Sequence, residues 1–259
     1  RYVVSVEKSK STPAAGPTLT PTPERADNFV APGLCARPVS QLGDLWILGR
    51  HRLLVGRALE PSAYQRVLGH YPAQMVFTDP PNNAIAAGAM EGAEFKSFLS
   101  SYMAELVRYS VDGSIHFHCM DWRYLSETLA AGAASYASLQ AVCVWNKTSG
   151  AMGPLYRSAH ELVLVYKNGT APHDCGRRGR DRKDVWDFAE AEARRSNSEE
   201  DLVRLLRVKP VALVAEAIRD CSKPGAFVLD PFVGCGTTIL AADRTGGKGN
   251  RNRNWTHVW

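Results

Sequence analysis

The spacing of apolar and polar residues along the chain predicts helices that alternate with strands. From Ala93 onward apolar side chains recur at intervals of three and four, the pattern of a helix packed on a sheet: Phe95, Phe98, Leu99, Tyr102, Met103 and Leu106. Short apolar runs predict strands over 114–119, 141–145 and 161–166, and one that ends at Thr78. Helices are also predicted over 61–68 and 125–134, and a hairpin over 43–54. This order indicates an α/β fold with a doubly wound, mostly parallel, Rossmann-like sheet.

Composition divides the chain into a tail and a domain. Of the 259 residues 45% are hydrophobic, enough for a full core, and we expect one large domain. The stretch from about Lys8 to Pro38 is rich in Ser, Thr, Pro and Ala and buries too little surface to fold. We therefore expect a flexible linker over 1–40 and a domain over 41–259 whose C-terminal edge is incomplete. Because the first residue is Arg1, we also expect a fragment of a longer protein.

Charge and cysteine content narrow the setting of the protein. The net charge of +5 is consistent with a polyanionic partner, and no feature of the sequence indicates an oligomeric state. The six cysteines include no C-x-x-C pair, which argues against a zinc module or a disulfide framework and favours a reducing cytoplasm. No run approaches ~18 consecutive apolar residues, so we expect no contact with a membrane.

Asp79-Pro80-Pro81-Asn82 follows the apolar run that ends in Thr78, and it is the first candidate for chemistry. Two consecutive prolines fix the backbone and remove two N–H donors, so the chain that leaves the strand presents carbonyl groups that only accept. The Asp79 carboxylate completes an all-acceptor site, which suits an amine that loses a proton as it attacks an electrophile. Taken alone, a rigid turn with a solvated Asp79 is an equally good interpretation.

A glycine turn near the end of the chain is the second candidate. An apolar run over 227–229 leads into this turn, and an Ala-rich helix follows it; the turn contains Asp230, Phe232, Gly234, Gly236, Thr237 and Thr238. Glycines let the backbone turn tightly and approach a ligand, and a helix N-terminus offers donors to a carboxylate or phosphate. We interpret the segment as a site for a nucleotide-like or adenosyl ligand, with a bare tight turn as the alternative.

Three segments, in this order, resemble the permuted group of S-adenosylmethionine-dependent DNA amino-methyltransferases. They are Thr78-Asp79-Pro80-Pro81, Lys209-Pro210 before a helix, and the glycine turn over 229–238. In that family the Asp-Pro-Pro segment precedes the cofactor loop, which is a circularly permuted motif order. The resemblance runs from about Gly43 to Gly249, and the phrases at 43–54, 119–123 and 156–162 are similar to bacterial and phage members often fused to a ParB-like nuclease domain.

The resemblance implies methyl transfer from S-adenosylmethionine to N6 of adenine or N4 of cytosine in double-stranded DNA, after the base is flipped out. Such enzymes act at specific sites, as in restriction–modification. The implied catalytic residues are Asp79, Pro80, Pro81 and Asn82, with the Asp79 carboxylate and the Pro80 carbonyl accepting the amine hydrogens. The implied cofactor-binding residues are Asp230, Phe232, Gly234, Gly236, Thr237 and, at the methionine end, Lys209.

A short run of cations is the candidate DNA-binding segment: Arg177, Arg178, Arg180, Arg182 and Lys183. With glycines among them, these residues suit phosphate contacts on a mobile loop, and a solvated face is the alternative. His116 and His118 share one face of a strand, but without a third ligand in the sequence we expect no metal site.

Three departures from the family pattern support a second hypothesis. Asn82 replaces an aromatic residue that would stack on a flipped base, and Arg57 replaces an Asp. In relatives the next strand ends in an acidic residue that holds the ribose hydroxyls, but no Asp or Glu follows Asp243 in this sequence. The second hypothesis is a degenerate or truncated homologue that binds DNA with little or no catalysis. A third and weaker one is a methyltransferase that acts on amines of RNA or protein.

Overall fold

The structure is a computed structural model, and it describes residues 3–7, 40–81, 92–151, 155–175, 182–188 and 208–245. Most of the predicted linker lies outside these ranges. Four of the predicted site residues do as well: Asn82, Arg177, Arg178 and Arg180.

A nine-stranded sheet forms the centre of the described part of the chain. Its strands are β1 (Val3–Glu7), β2 (Leu45–Leu48), β3 (His51–Leu54), β4 (Ala73–Thr78), β5 (Ser110–Met120), β6 (Ser138–Ala151), β7 (Ser158–Lys167), β8 (Val185–Asp187) and β9 (Phe227–Asp230). The order across the sheet is β2-β3-β1-β9-β4-β5-β7-β6-β8. The three central strands, β9, β4 and β5, are parallel. Because β1, β2 and β7 pair antiparallel with their neighbours, they run opposite to the other six strands.

Five α-helices cover the sheet within the described residues. They are α1 (Pro61–Leu68), α2 (Gly92–Arg108), α3 (Leu125–Ser135), α4 (Val211–Cys221) and α5 (Thr237–Thr245), and a short 3-10 helix lies at Trp122–Tyr124. The predicted helices, hairpin and strands are confirmed. Proline at the first position of α1 costs no hydrogen bond there, because a first-turn N–H has no partner within the helix. No helix in the described ranges is both long and apolar enough to cross a membrane.

The helices lie on both faces of the sheet, as a doubly wound fold requires. On one face α1, α2 and α3 bury Tyr64, Leu99 and Ala131 against alternate residues of the strands, such as Val76. On the other face α4 and α5 bury the intervening strand residues, such as Phe77. The predicted α/β class and its parallel centre are confirmed. The antiparallel pairs at the flanks are an addition, because local apolar runs do not encode strand direction.

The N-terminal segment contains a strand that the linker prediction over 1–40 did not include. β1 pairs antiparallel with β9 on one side and with β3 on the other. Its register sets Ser5 opposite Leu229 and Glu7 opposite Phe227, so Glu7 lies toward the amino end of β9. β9 therefore has neighbours on both sides. The boundary between linker and domain at residue 40 stays a prediction.

A disulfide joins Cys175 to Cys221, whose Cα atoms are 4.1 Å apart. The sequence argument against a disulfide framework was wrong for this pair. The two cysteines are 46 residues apart, so no local spacing marks them. The fold brings them together because Cys221 ends α4 and Cys175 lies on the segment that returns toward β8.

Candidate active site

Asp79 stands directly after β4, at the carboxyl edge of the sheet. Its side chain is 32% exposed, whereas Thr78 before it is fully buried. Pro80 is buried beneath the edge, so the rigid Asp-Pro-Pro segment holds the carboxylate at the surface of a packed core. The structure thus gives Asp79 a half-buried, fixed position. Asn82 lies outside the described residues.

Four alternating charges meet at this point, and we call them the ion cluster: Asp79, Lys209, Glu161 and Lys147. The Lys209 ammonium donates to Asp79 Oδ2 at 2.7 Å, and the same Nζ lies 2.7 Å from Glu161 Oε1. Lys147 Nζ lies 2.8 Å from the other oxygen of Glu161. Lysines and carboxylates therefore neutralise one another in a row whose two inner members, Lys209 and Glu161, are the most buried.

Strand geometry explains why these side chains meet. Residues two apart point to the same face of a sheet, so Asp79 follows Met75 and Phe77 on the face that α4 covers. Glu161 lies opposite Trp145 across β6 and β7. Lys209 is brought over this face by the start of α4, and the Trp145 ring lies under its ammonium at 5.6 Å from the centroid.

The charges in the cluster change the proton affinities of its members. Burial disfavours the charge of Lys209, but the carboxylates of Asp79 and Glu161 outweigh it and hold the Lys209 pKa well above its usual value. Burial would raise the Glu161 pKa, yet Lys209 and Lys147 lower it. For Asp79, burial and the negative charge of Glu161 raise the pKa against the pull of Lys209. Asp79 thus has a greater affinity for a proton than Glu161.

A metal ion is a further use of such a cluster. Ligand atoms of Asp79, Cys119 and Glu161 lie within 4.8 Å of one another. The Lys209 ammonium contacts two of these three side chains and supplies the positive charge that a metal would bring. Burial also raises the pKa of the Cys119 thiol well above its ordinary value, so it is a neutral neighbour rather than a thiolate ligand.

The glycine turn follows β9, the strand beside β4. Val76 lies opposite Leu229 in the parallel ladder, so Asp79 and Asp230 both project beyond adjacent strand ends. Asp230 is buried, and its oxygens accept from the Phe232 N–H at 2.8 Å and from the Thr238 hydroxyl at 2.6 Å. Asp230 therefore fixes the turn from within. Burial raises its pKa to about 7, and the nearby charge of Asp79 contributes.

The two glycines of this turn adopt backbone conformations that other residues rarely adopt. Gly234 has φ 54° and Gly236 has φ 86°. A Cβ at either position would meet no atom closer than 3.9 Å, so conformation rather than space requires glycine. α5 begins immediately afterwards at Thr237, and the first N–H groups of a helix have no partner within the helix. Phe232 packs edge-on against Tyr102 at 5.2 Å and closes the other side.

The turn has the properties that an adenosyl ligand requires. Its left-handed glycines leave room for close approach, and the start of α5 supplies unpaired backbone donors. Thr237 is the hydroxyl available beside them, because the Thr238 hydroxyl is already taken by Asp230. Asp243, at the far end of α5, pairs with Arg50, and its carboxylate lies 3.5 Å from His51 Nε2.

The predicted DNA-binding run is only partly described. The Arg182 guanidinium is paired with Glu216 and Asp220 of α4, so its charge is neutralised within the protein. Lys183 is exposed next to it. Two aromatic side chains that the site prediction did not include, Trp122 and Tyr156, are 47% and 82% exposed at the same carboxyl edge as Asp79.

On the opposite face of β5 lies a second polar cluster, which we call the tyrosine–histidine chain: Ser114, His116, Tyr136, His118 and Tyr102. The Tyr136 hydroxyl lies 2.9 Å from His116 Nδ1 and 3.0 Å from His118 Nε2. The other ring nitrogens contact Ser114 at 3.0 Å and Tyr102 at 3.1 Å. Both histidines, whose metal binding we did not expect, therefore have hydrogen-bonding partners within the core.

Glu161, Lys147 and Trp145 are site residues that the site prediction missed. The available signals were weak: the phrase at 156–162 includes Glu161 without giving it a role, and a lysine follows the strand over 141–145. From the sequence alone, Glu161 and Lys147 could each equally be a solvated charge at the end of a strand. Only the pairing of β6 with β7 shows that they share one face with Asp79.

A parallel centre with an acid and a glycine turn at neighbouring strand ends defines a ligand-binding α/β enzyme fold of the nucleotide-cofactor class. Comparison with known proteins makes this specific. A family model for DNA methylases of the N6/N4 type matches residues 73–249, and the chain belongs to that family.

Individual relatives agree with the family. The Type II methyltransferase M.ScaI of Streptomyces caespitosus is 32% identical over 80 residues, which are 31% of this chain and 26% of that relative. The match thus spans about a quarter of the relative's length.

Solved structures agree on the fold. The crystal structure of the M1.HpyAVI–SAM complex has a TM-score of 0.55 at 18% identity, covering 78% of this chain and 89% of the other. The cytosine-N4-specific PvuII DNA methyltransferase has a TM-score of 0.57 at 17% identity, covering 78% and 79%.

Proposed function

We propose that this protein transfers a methyl group from S-adenosylmethionine to the exocyclic amine of adenine or cytosine in double-stranded DNA. Membership of the DNA methylase family supports this reaction, as do the names of the relatives. The observation that carries it is the Asp79 carboxylate, fixed at the carboxyl edge by Lys209 and located one strand away from the glycine turn. We also propose that the enzyme works in the cytoplasm.

The chain's own residues supply the acceptor for the amine. Oδ2 of Asp79 takes the hydrogen bond from Lys209, which leaves Oδ1 to accept a hydrogen from a target amine. We assign the same role to the carbonyl of Pro80, the next residue, because a carbonyl also only accepts. As the amine nitrogen bonds to the methyl carbon, the carbon–sulfur bond would break and leave a neutral thioether, and the nitrogen would become positively charged. Its hydrogens become more acidic, so these acceptors stabilise the transition state and the Asp79 carboxylate can take the proton that the nitrogen loses.

The glycine turn would hold the methyl donor. We assign Gly234, Gly236 and Thr237 to contacts with the cofactor, and Asp230 and Phe232 to shaping its pocket. Bound there, S-adenosylmethionine would supply an electrophilic methyl group on a sulfonium. We keep Lys209 as the proposed contact for the methionine end of the cofactor, and its ammonium also contacts Asp79 and Glu161.

DNA would approach the carboxyl edge. We assign phosphate contacts to Arg177, Arg178, Arg180 and Lys183, and we place Arg182 last in this group because two acids of α4 already neutralise it. Trp122 and Tyr156 offer exposed rings on which an unpaired base can stack, a contribution that Asn82 does not make.

The test is an assay of methyl transfer with the whole chain. Unmethylated plasmid DNA is incubated with S-adenosylmethionine that carries a labelled methyl group, and digested nucleosides are identified by mass spectrometry. We expect labelled N6-methyladenine or N4-methylcytosine. If the cofactor binds in isothermal titration and DNA of every sequence tested stays unlabelled, the degenerate homologue replaces our proposal. Label in RNA or protein alone would support an amine methyltransferase with another substrate.

A further inference from the structure

Glu161 is a buried carboxylate to which the sequence analysis assigned no role, and it occupies the middle of the ion cluster. Its side chain is 10% exposed, at the start of β7. One oxygen lies 2.7 Å from Lys209 Nζ and the other lies 2.8 Å from Lys147 Nζ. Both oxygens thus contact ammonium groups, and one of these ammonium groups is the one that holds Asp79.

Lys209 needs both of its carboxylates. Its side chain is only 9% exposed, and an ammonium removed from water must be compensated by nearby negative charge. Asp79 and Glu161 lie at the same 2.7 Å from its Nζ, so they share one cation between them. If Glu161 lost its charge, Lys209 would bind Asp79 more strongly, and a carboxylate that binds a cation more strongly is a poorer acceptor for an amine hydrogen.

From this geometry we infer that Glu161 is a positioning residue for methyl transfer. It holds Lys209 between two carboxylates, so that Asp79 stays oriented by one oxygen while the other remains free to accept from the target amine. This inference rests on the proposed function, and it adds a residue that touches neither the base nor the cofactor.

Lys147 provides a second test of the inference, because its charge acts on Asp79 in the direction opposite to that of Glu161. It lies at the rim, 21% exposed, and pairs with the outer oxygen of Glu161. The positive charge of Lys147 lowers the Asp79 pKa, whereas the negative charge of Glu161 raises it. Substituting the two residues should therefore move the titration of Asp79 in opposite directions. The titratable groups that face Asp79 are Lys209, Glu161, Lys147, Cys119, Asp230 and Tyr102.

The experiment compares Glu161→Gln, Lys147→Met and the unaltered protein. For Glu161→Gln we expect kcat to fall about 10-fold. The acidic limb of its kcat–pH profile should move down by about one pH unit, while the KM for S-adenosylmethionine stays within about threefold. Lys147→Met should move the same limb upward. Glu127→Gln, the same change on α3 across the sheet, is the matched control and should leave the profile in place.

Two kinetic results would overturn the inference. One is an unchanged kcat and profile for Glu161→Gln. The other is a KM for the cofactor raised more than about tenfold with kcat retained, which would assign the cluster to uniform cofactor binding. Because Lys147 is at the rim, Lys147→Met keeps the test available if Glu161→Gln does not fold; a shift downward or no shift for that variant would also contradict us.

A readout without activity separates this inference from the proposed function. Carboxyl ¹³C NMR of the intact chain reports the titration of Asp79 directly in each variant. If the unaltered protein methylates no substrate, the proposed function fails, while opposite shifts in the two variants would still show that Glu161 and Lys147 control Asp79. Titrations that coincide in all three proteins would refute the coupling itself.

Discussion

The ion cluster and the tyrosine–histidine chain lie on opposite faces of the same central strands, and they differ in charge and in exposure. Cys119 points toward the ion cluster, whereas His118, its neighbour on β5, belongs to the tyrosine–histidine chain. The chain is neutral: burial lowers the His118 pKa to about 3, and it lowers that of His116 as well. The ion cluster is charged and opens to solvent at Asp79, 32% exposed.

The neutral chain is satisfied within itself. A neutral imidazole has one donor and one acceptor, so Tyr136 can donate to one ring and accept from the other along a single direction of hydrogen bonds. All four ring nitrogens of the two histidines are then paired within the core. The ion cluster, in contrast, leaves Asp79 Oδ1 available at the edge where ligands bind. The polar groups of the first region are thus paired with one another inside the core, whereas the second region is the one that our proposed function uses.

The largest effect on protein stability should come from Tyr136→Phe, in the middle of the tyrosine–histidine chain. Without its hydroxyl, both histidines lose a partner in the core, and we expect the free energy of unfolding to fall by about 2 to 4 kcal/mol. Urea denaturation measures this loss, and Tyr71→Phe, at an exposed tyrosine, should change it by less than about 0.5 kcal/mol. Methyl transfer by the folded variant should stay within about threefold. A much slower reaction would break the distinction between the two regions.

The titration of Asp230, in the glycine turn beside the ion cluster, gives the next test, through the pH dependence of stability. Its pKa of about 7 in the folded protein lies above that of an unfolded Asp, so the folded state keeps a proton that the unfolded state loses. Stability from this group is present at low pH and is lost as the pH rises to about 7.

Asp230→Asn removes the titration and preserves both hydrogen bonds, because the amide oxygen accepts from Phe232 N–H and the amide nitrogen donates to Thr238. Relative to the variant, the unaltered protein should lose about 3 kcal/mol between about pH 5 and pH 8. Parallel stability curves for the two proteins would show that Asp230 is ionised throughout.

His118 should give a smaller effect of opposite sign. Its lowered pKa means that the unfolded state takes up a proton first as the pH falls, so stability is present near neutral pH and is lost below about 6.5. His118→Asn should remove about 2 kcal/mol of the pH dependence between about pH 7 and pH 5. If the pH dependence of stability were the same in the variant, His118 would be charged in the folded protein, and the tyrosine–histidine chain would not be neutral.

The sequence predicted the fold better than it predicted the site. Apolar spacing located α1 at the observed bounds and found α2, because helices and strands leave their period in local sequence. It missed β1, whose short run Val3–Glu7 precedes a polar stretch and pairs only with strands far along the chain. Strand direction was also out of reach for β7, since an apolar run reads the same both ways.

Within the site, the segments with rigid or glycine-rich chemistry were visible and the supporting charges were not. Asp79 and the turn at Asp230 carry local signals, namely two prolines and two glycines. Lys209 was assigned to the cofactor, and the structure adds contacts with Asp79 and Glu161 that no local pattern contains. Contacts between residues that lie 130 apart in sequence depend on the register of the sheet.

The most direct test of the account is the rate of methyl transfer by Asp79→Asn. This variant keeps the size of the side chain and removes the charge that accepts the amine hydrogen. We predict a fall in single-turnover rate of about 10²- to 10⁴-fold, with the affinity for S-adenosylmethionine within about threefold by isothermal titration. A rate close to that of the unaltered protein would contradict the central role of Asp79.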